Sequence, residues 1–159
     1  MACDTEWSEG GVQVVKVHDV QTLRDNLAAC AAGFDREVQL PNDLHREVEL
    51  CTGPDARNAR FVAYAPDGEP VGSANVTVHA GRFGFLWAGA TVPAWRGRGV
   101  YRALLGARCR WARSNGLDRV GLYANRATSA PVVAGLGFTK HGPMAYWART
   151  PQTGSPPRS

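Results

Sequence analysis

Apolar positions along the chain switch repeatedly between a period of two and a helical period. Residues 12–18, VQVVKVH, read as a first strand. Residues 20–33, VQTLRDNLAACAAG, place Val20, Leu23, Leu27 and Cys30 at helical spacing and end at Gly33, a residue type suited to a C-cap. In the next stretch, FDREVQLPNDLHREVELCTG, Pro41 interrupts the pattern, and Asn42 or Asp43 can cap a short second helix. RFVAYA (60–65), PDGE (66–69) and PVGSANVTVHA (70–80) form a hairpin pattern with Asp67-Gly68 at its turn. Gly81-Arg82 turns the chain again into FGFLWAGATV (83–92), which is apolar on both faces and so belongs at the centre of a sheet. Gly89 within it marks a bulge or a close backbone approach.

A helix follows over 100–116, with Val100, Leu104, Ala107 and Trp111 on one face and Arg102 and Arg113 on the other. DRVGLYA (118–124) reads as a buried strand, TSAPVVAGLG as a short helix, and FTKHG and MAYWAR, within 138–149, as two closing strands. The order β-α-α-β-β-β-α-β-α-β-β predicts an α/β (α+β) fold with a mixed sheet and helices on its faces. Residues 12–150 are expected to form a single domain, between a flexible N-terminus (1–11) and a disordered tail (151–159) of sequence PQTGSPPRS.

Composition narrows this picture in three ways. At 159 residues the chain can build a core without disulfides or metals, and its 44% apolar and 20% charged content is that of a soluble protein. No apolar run approaches the roughly 18 residues of a membrane span, and MACDTEWSEGG lacks the layout of a secretory signal. Cys3, Cys30, Cys51 and Cys109 show no metal-ligand spacing, so no metal site and a reducing, cytoplasmic setting are expected. Charge, finally, is uneven. Residues 1–95 carry 7 Lys and Arg against 13 acids, while residues 96–159 carry 11 against the single acid Asp118. A basic half suits an anionic ligand, and an acidic half suits a cationic one.

The basic half opens on Arg96-Gly97-Arg98-Gly99, directly before the long helix. No Walker loop (GxxxxGK[ST]) is present, and the glycines do not follow the first strand of a βαβ unit as a dinucleotide fingerprint requires. The helix nonetheless starts without a Ser, Thr, Asp or Asn cap and without acids in its first turn. Open N–H groups, the positive dipole end and flanking arginines make a site for a phosphate or pyrophosphate. An exposed turn with solvated arginines is the alternative that charge alone leaves open.

VPxxRGxGV followed by an amphipathic helix resembles motif A of the GCN5-related N-acetyltransferases, the GNAT superfamily. The resemblance implies a mainly antiparallel sheet of about six to seven strands. It also implies a loop of Arg96, Gly97, Arg98, Gly99, Val100 and Tyr101 around the pyrophosphate of acetyl-CoA. Tyr101 stands where the family usually has Gly or Ala. TSAPVVAGLGF (128–138) is similar to motif B, which brings Asn125 and Ser129 to the cofactor. Arg126 and Val133 replace that motif's usual asparagine and tyrosine. In the family the strand before motif A is bulged and splays from its neighbour. Backbone around Ala90, Thr91 and Val92 would then pair with the pantetheine arm, and an N–H near Val92 would hold the oxyanion.

Acetyl transfer to an amine requires a neutral nucleophile, oxyanion stabilisation and a proton for the leaving thiolate. Glu47, Glu49, His45 and His79 are the candidate bases, and Tyr146 or Tyr123 the candidate acids; an ordered water can also carry the proton. No activated Ser or Cys nucleophile is visible, so direct transfer from acetyl-CoA is expected. The acids Asp35, Glu37, Glu47 and Glu49 suggest an amine acceptor. A non-catalytic acyl-CoA-binding regulator and a tRNA-linked acyltransferase are the rival readings, although no nucleic-acid module is recognisable. Edge pairing through MAYWAR could make a homodimer.

Overall fold

The computed structural model describes residues 7–8 and 11–145. The chain divides after Tyr123 into two compact units. The first contains β1 (Trp7–Ser8), β2 (Val12–Lys16), α1 (Val20–Gly33), α2 (Leu44–Thr52), β3 (Asn58–Tyr64), β4 (Pro70–His79), β5 (Phe83–Thr91), α3 (Val100–Ser114) and β6 (Arg119–Leu122). The six strands lie in the sheet in their chain order, β1 to β6. Each neighbouring pair is antiparallel except β5 and β6, which run parallel because α3 crosses between them. The sheet is thus mixed and mainly antiparallel, as expected. Trp7 and Ser8, in the segment expected to be loose, pair with Gln13 and Val12.

α1 starts where the pattern places it, and its start has a clear cause. The Asp19 carboxylate accepts from the Thr22 N–H at 2.7 Å, and the Thr22 hydroxyl accepts from the Asp19 N–H at 3.2 Å, completing a capping box. These Thr22 donors hold the Asp19 carboxyl below its ordinary value. Its contribution is therefore present above the unfolded aspartate value, about pH 3.9, and is lost as the pH falls. Asp19→Ala should cost about 1 kcal/mol at neutral pH, read as a lower urea midpoint, with the loss disappearing in acid.

Gly33 is not a left-handed cap. It is the last residue of α1, and Phe34 closes the helix. A Cβ on Gly33 would stand 2.7 Å from the Ala90 Cβ and 3.2 Å from the Thr91 N, so glycine is needed to let α1 rest on the end of β5. Asp43, one of the two expected caps, caps α2 by accepting from the Arg46 N–H.

The helices take opposite faces of the sheet. A Cβ on Gly72 of β4 would run into Val100 and Leu104 of α3. Three residues on, Asn75 faces the other way and its side chain accepts from Asn26 of α1 at 3.3 Å. Val71, Ala74, Val76 and Leu86 of the sheet are buried, together with Leu23 of α1 and Leu104 of α3.

The second unit contains α4 (Ser129–Gly135). Residues 138–145, expected to begin the closing strands, are not a strand. Phe138 donates its N–H back to the Val133 carbonyl, with Gly137 at φ 87, so its backbone ends the helix instead of joining a ladder. Pro143 removes a further donor. MAYWAR from Tyr146 onward, and with it the proposed dimer edge, lies outside the described residues.

Candidate functional site

The site begins with a strand that outlasts its neighbour. β5 pairs with β6 only from Phe83–Arg119 to Leu86–Leu122, so Trp87–Thr91 have β4 on one side and no strand on the other among the described residues. The ladder to β4 shifts at the same place. Ser73 pairs with Ala90 and Asn75 with Trp87, which leaves an extra residue in β5. The bulge expected at Gly89 is present, but the left-handed backbone belongs to Ala88, at φ 48.

Gly89 is glycine for another reason. A Cβ there would lie 2.9 Å from Cε2 of Tyr101 and 3.4 Å from Nη2 of Arg108, both on α3. At Thr91 the side-chain hydroxyl is buried without a hydrogen-bond partner. The Val92 N–H donates to the Val71 carbonyl at 3.0 Å, so that group is already committed to the sheet.

Beyond the edge, Pro93–Trp95 make one 3-10 turn and the chain reaches the start of α3. Gly97 and Gly99 adopt φ 75 and φ 84, and no side chain caps the helix. The first helical bond runs from the Ala103 N–H to the Gly99 carbonyl, and the first turn has no acid. The two arginines of the loop differ in use. Arg96 donates to the Thr91 and Gly33 carbonyls at 3.3 and 2.9 Å, tying loop, strand and α1 together. Arg98 stacks on Trp95, 4.8 Å from the ring centroid, and adds positive charge beside the open N–H groups.

Arg108 is the residue that sequence reasoning missed. It is 1% exposed, within the buried face of α3 beside Val100, Leu104 and Leu105. The signal was its spacing, four residues after Leu104 on the apolar stripe. Its Nε and Nη1 reach the Leu104 and Asn75 carbonyls at 3.3 and 3.5 Å, while Nη2 has no hydrogen-bond partner. Burial pulls its pKa down, and the nearby Tyr101 hydroxyl partly restores it.

The opposite face holds the acidic candidates. Glu47 of α2 pairs with Arg60 of β3 at 3.1 Å, and both are half-buried. The Arg60 guanidinium in turn sits 5.6 Å from the ring centre of Trp87, the first residue of the open edge. Leu23, Leu27, Gln39, Leu40 and Pro41 complete a 300 Å³ pocket around Glu47 and Arg60. Glu49 instead pairs with Arg46 in solvent, and His45 is exposed. His79 lies opposite Phe83, at the end of β5 remote from the bulge, with its ring against Phe83 and Phe85. Of the four candidate bases, only Glu47 is connected to the open edge.

Tyr123 is 67% exposed with its ring against Phe85; Tyr146 lies outside the described residues. In the second unit, the Asn125 side chain accepts from the Ala127 N–H, and the Ser129 hydroxyl accepts from the Asn125 N–H. Both groups thus shape the turn into α4. Among the described residues no cluster of His, Cys, Asp and Glu could hold a metal ion, and no helix is long and apolar enough to cross a membrane.

Comparison with known proteins agrees with this geometry. The model of the acetyltransferase (GNAT) family matches residues 20–138. A 70-residue stretch is 41% identical to an aminoglycoside N(6')-acetyltransferase type 1 of Stenotrophomonas maltophilia, covering 39% of this chain and 46% of that one. The chain therefore spans just under half the length of this curated relative. An acetyltransferase of Trypanosoma brucei superposes with a TM-score of 0.70 at 22% identity, over 87% of this chain and 99% of that one. AAC(6')-Iy, solved with the bisubstrate analogue CoA-S-monomethyl-acetylneamine, superposes with a TM-score of 0.66 at 20% identity, over 87% and 98%.

Proposed function

The chain belongs to the acetyltransferase (GNAT) family, and we propose that it moves an acetyl group from acetyl-CoA directly to the amine of a small molecule or peptide. One juxtaposition carries this reading: an uncapped helix start built on Gly97 and Gly99 stands next to a strand edge left open at 87–91. The first suits a pyrophosphate, which would take the place of the missing cap. The second suits the amide-bearing arm of the same molecule, which can pair with the β5 backbone as a short added strand. The chain's residues fit such a ligand. Gly97 leaves the loop backbone open, Arg98 brings charge to it, and the unpartnered Thr91 hydroxyl offers a polar contact beside the edge.

The acceptor amine belongs in the pocket at Glu47, where Arg60 and Trp87 connect it to the edge. Two of the thiols support direct transfer. Burial pushes the Cys51 and Cys109 thiols up, away from the reactive thiolate. Glu47→Gln should raise the acceptor KM by about tenfold, the scale of one charge-assisted hydrogen bond, and leave the acetyl-CoA KM unchanged. An unchanged acceptor KM would move the acceptor elsewhere.

A second reading, a non-catalytic acyl-CoA-binding regulator, is favoured by one observation: Arg60 neutralises Glu47, the one candidate base linked to the edge. Thiol release from acetyl-CoA, screened across aminoglycosides, polyamines, amino acids and peptides, separates the two. Amine-dependent release is expected; tight CoA binding without any release supports the regulator.

A further inference from the structure

The pocket at Glu47 carries both signs of charge and an excess of neither. It lies between α1, the segment 39–41, α2 and β3, and Glu47 and Arg60 are its only charged lining residues among the described residues. Leu23, Leu27, Leu40 and Pro41 make most of the remaining wall apolar. At 300 Å³ the space is at the small end for ligand pockets.

The sheet holds the cation in place. Arg60 of β3 pairs in register with Asn75 of β4, and Asn75 with Trp87 of β5, so the three side chains share the face on which Asn75 meets α1. The Arg60 guanidinium stands 5.6 Å from the ring centre of Trp87. Trp87 is anchored in turn: its indole N–H donates to the Thr77 hydroxyl at 3.0 Å, and that hydroxyl donates to the Asn58 side chain at 2.8 Å. Against Glu47 the guanidinium uses a single nitrogen. Nη2 donates to Oε2 at 3.1 Å, and Oε1 accepts no hydrogen bond among the described residues. A guanidinium has five N–H donors and a carboxylate two oxygens, so both partners keep capacity for a second charged group.

A polycation brought to this pocket would meet Arg60 as a like charge. A simple amine would compete with Arg60 for the one carboxylate. A molecule with ammonium and carboxylate on the same carbon satisfies both partners at once, and the planar guanidinium suits a carboxylate in particular.

We propose that the acceptor is an α-amino acid with an apolar side chain, its carboxylate on Arg60, its amino group on Glu47 and its side chain among Leu23, Leu27, Leu40 and Pro41. This rests on the acetyltransferase reading given above and narrows its substrate class. In the step, the ammonium gives one proton to water. The nitrogen lone pair then forms the C–N bond to the thioester carbonyl carbon, and the C–S bond breaks with its electron pair on sulfur. The second nitrogen proton ends on that sulfur. The products are the N-acetyl amino acid, a free thiol and one released proton.

The test measures kcat/KM by thiol release on the full chain with leucine, leucinamide and isoamylamine. The last two lack the carboxylate, and their amines are respectively less and more basic than that of leucine, so basicity alone does not rank leucine above both. Wild type should prefer leucine to each by about tenfold or more, the scale of one charge-assisted hydrogen bond. Arg60→Gln should erase the preference, whereas Glu47→Gln should raise the KM of all three and keep it. A pair that only held α2 to β3 would lower all three alike. If Arg60→Gln loses its cooperative urea transition, Arg60→Lys decides, and the preference should shrink several-fold there too. No preference for leucine in wild type, or a preference that a folded Arg60 variant keeps in full, overturns the proposal and leaves the acetyltransferase reading intact. No thiol release with any acceptor, spermidine and kanamycin included, overturns both.

Discussion

Gly99→Asp should abolish CoA binding while the protein stays folded. Gly99 sits at φ 84 and ψ 0, where aspartate is among the better tolerated side chains, so the strain should be about 1 kcal/mol, a fraction of a domain's stability. A carboxylate at that point would stand where the uncapped N–H groups converge. Like charges brought together on binding cost several kcal/mol, so a loss of about a hundredfold or more in affinity is expected. Calorimetry with CoA reads the affinity, and a retained cooperative urea transition certifies the fold. Gly97 supplies a control. A Cβ on Gly97 meets nothing within 4 Å, so Gly97→Ala tests backbone freedom alone and should weaken binding far less.

Arg108→Met should make the protein more stable. The guanidinium is almost fully buried, its two carbonyl contacts are long, and one nitrogen has no partner. Arg108 has no matching carboxylate among the described residues, and replacing buried charged groups by apolar side chains of similar volume is often stabilising, by about 1–3 kcal/mol. The gain should appear as a higher urea midpoint with an unchanged slope. If Arg108 were instead a structural strut for the Leu104 and Asn75 carbonyls, the same substitution would lower the midpoint.

The contrast between Gly99 and Arg108 shows where sequence reading reached its limit. The bounds of α1 and α3 followed from apolar spacing, and the start of α3 was legible because a missing cap is a local property of a few residues. The bulge was legible in Gly89, but its cause was not. That glycine answers to Tyr101 and Arg108, which reach it only after the helix has crossed the sheet. Arg108 escaped because arginine is ordinarily a surface residue, although its place on the stripe was already visible. Glu47 was named as a base, but its ion pair with Arg60 joins two elements and cannot be read from spacing. Gly33 looked like a helix stop and is a contact point for Ala90. The first closing strand, FTKHG, failed at Phe138, whose N–H was claimed by the end of α4.

The central claim is that this chain transfers acetyl directly from acetyl-CoA to an amine. Its most direct test is mass spectrometry of a reaction containing isotopically labelled acetyl-CoA, the protein and an amine panel. The label should appear on the nitrogen of an acceptor in step with free CoA thiol, with none retained on the protein. Label on Cys30, Cys51 or Cys109, or CoA bound with no labelled amine formed, would contradict it.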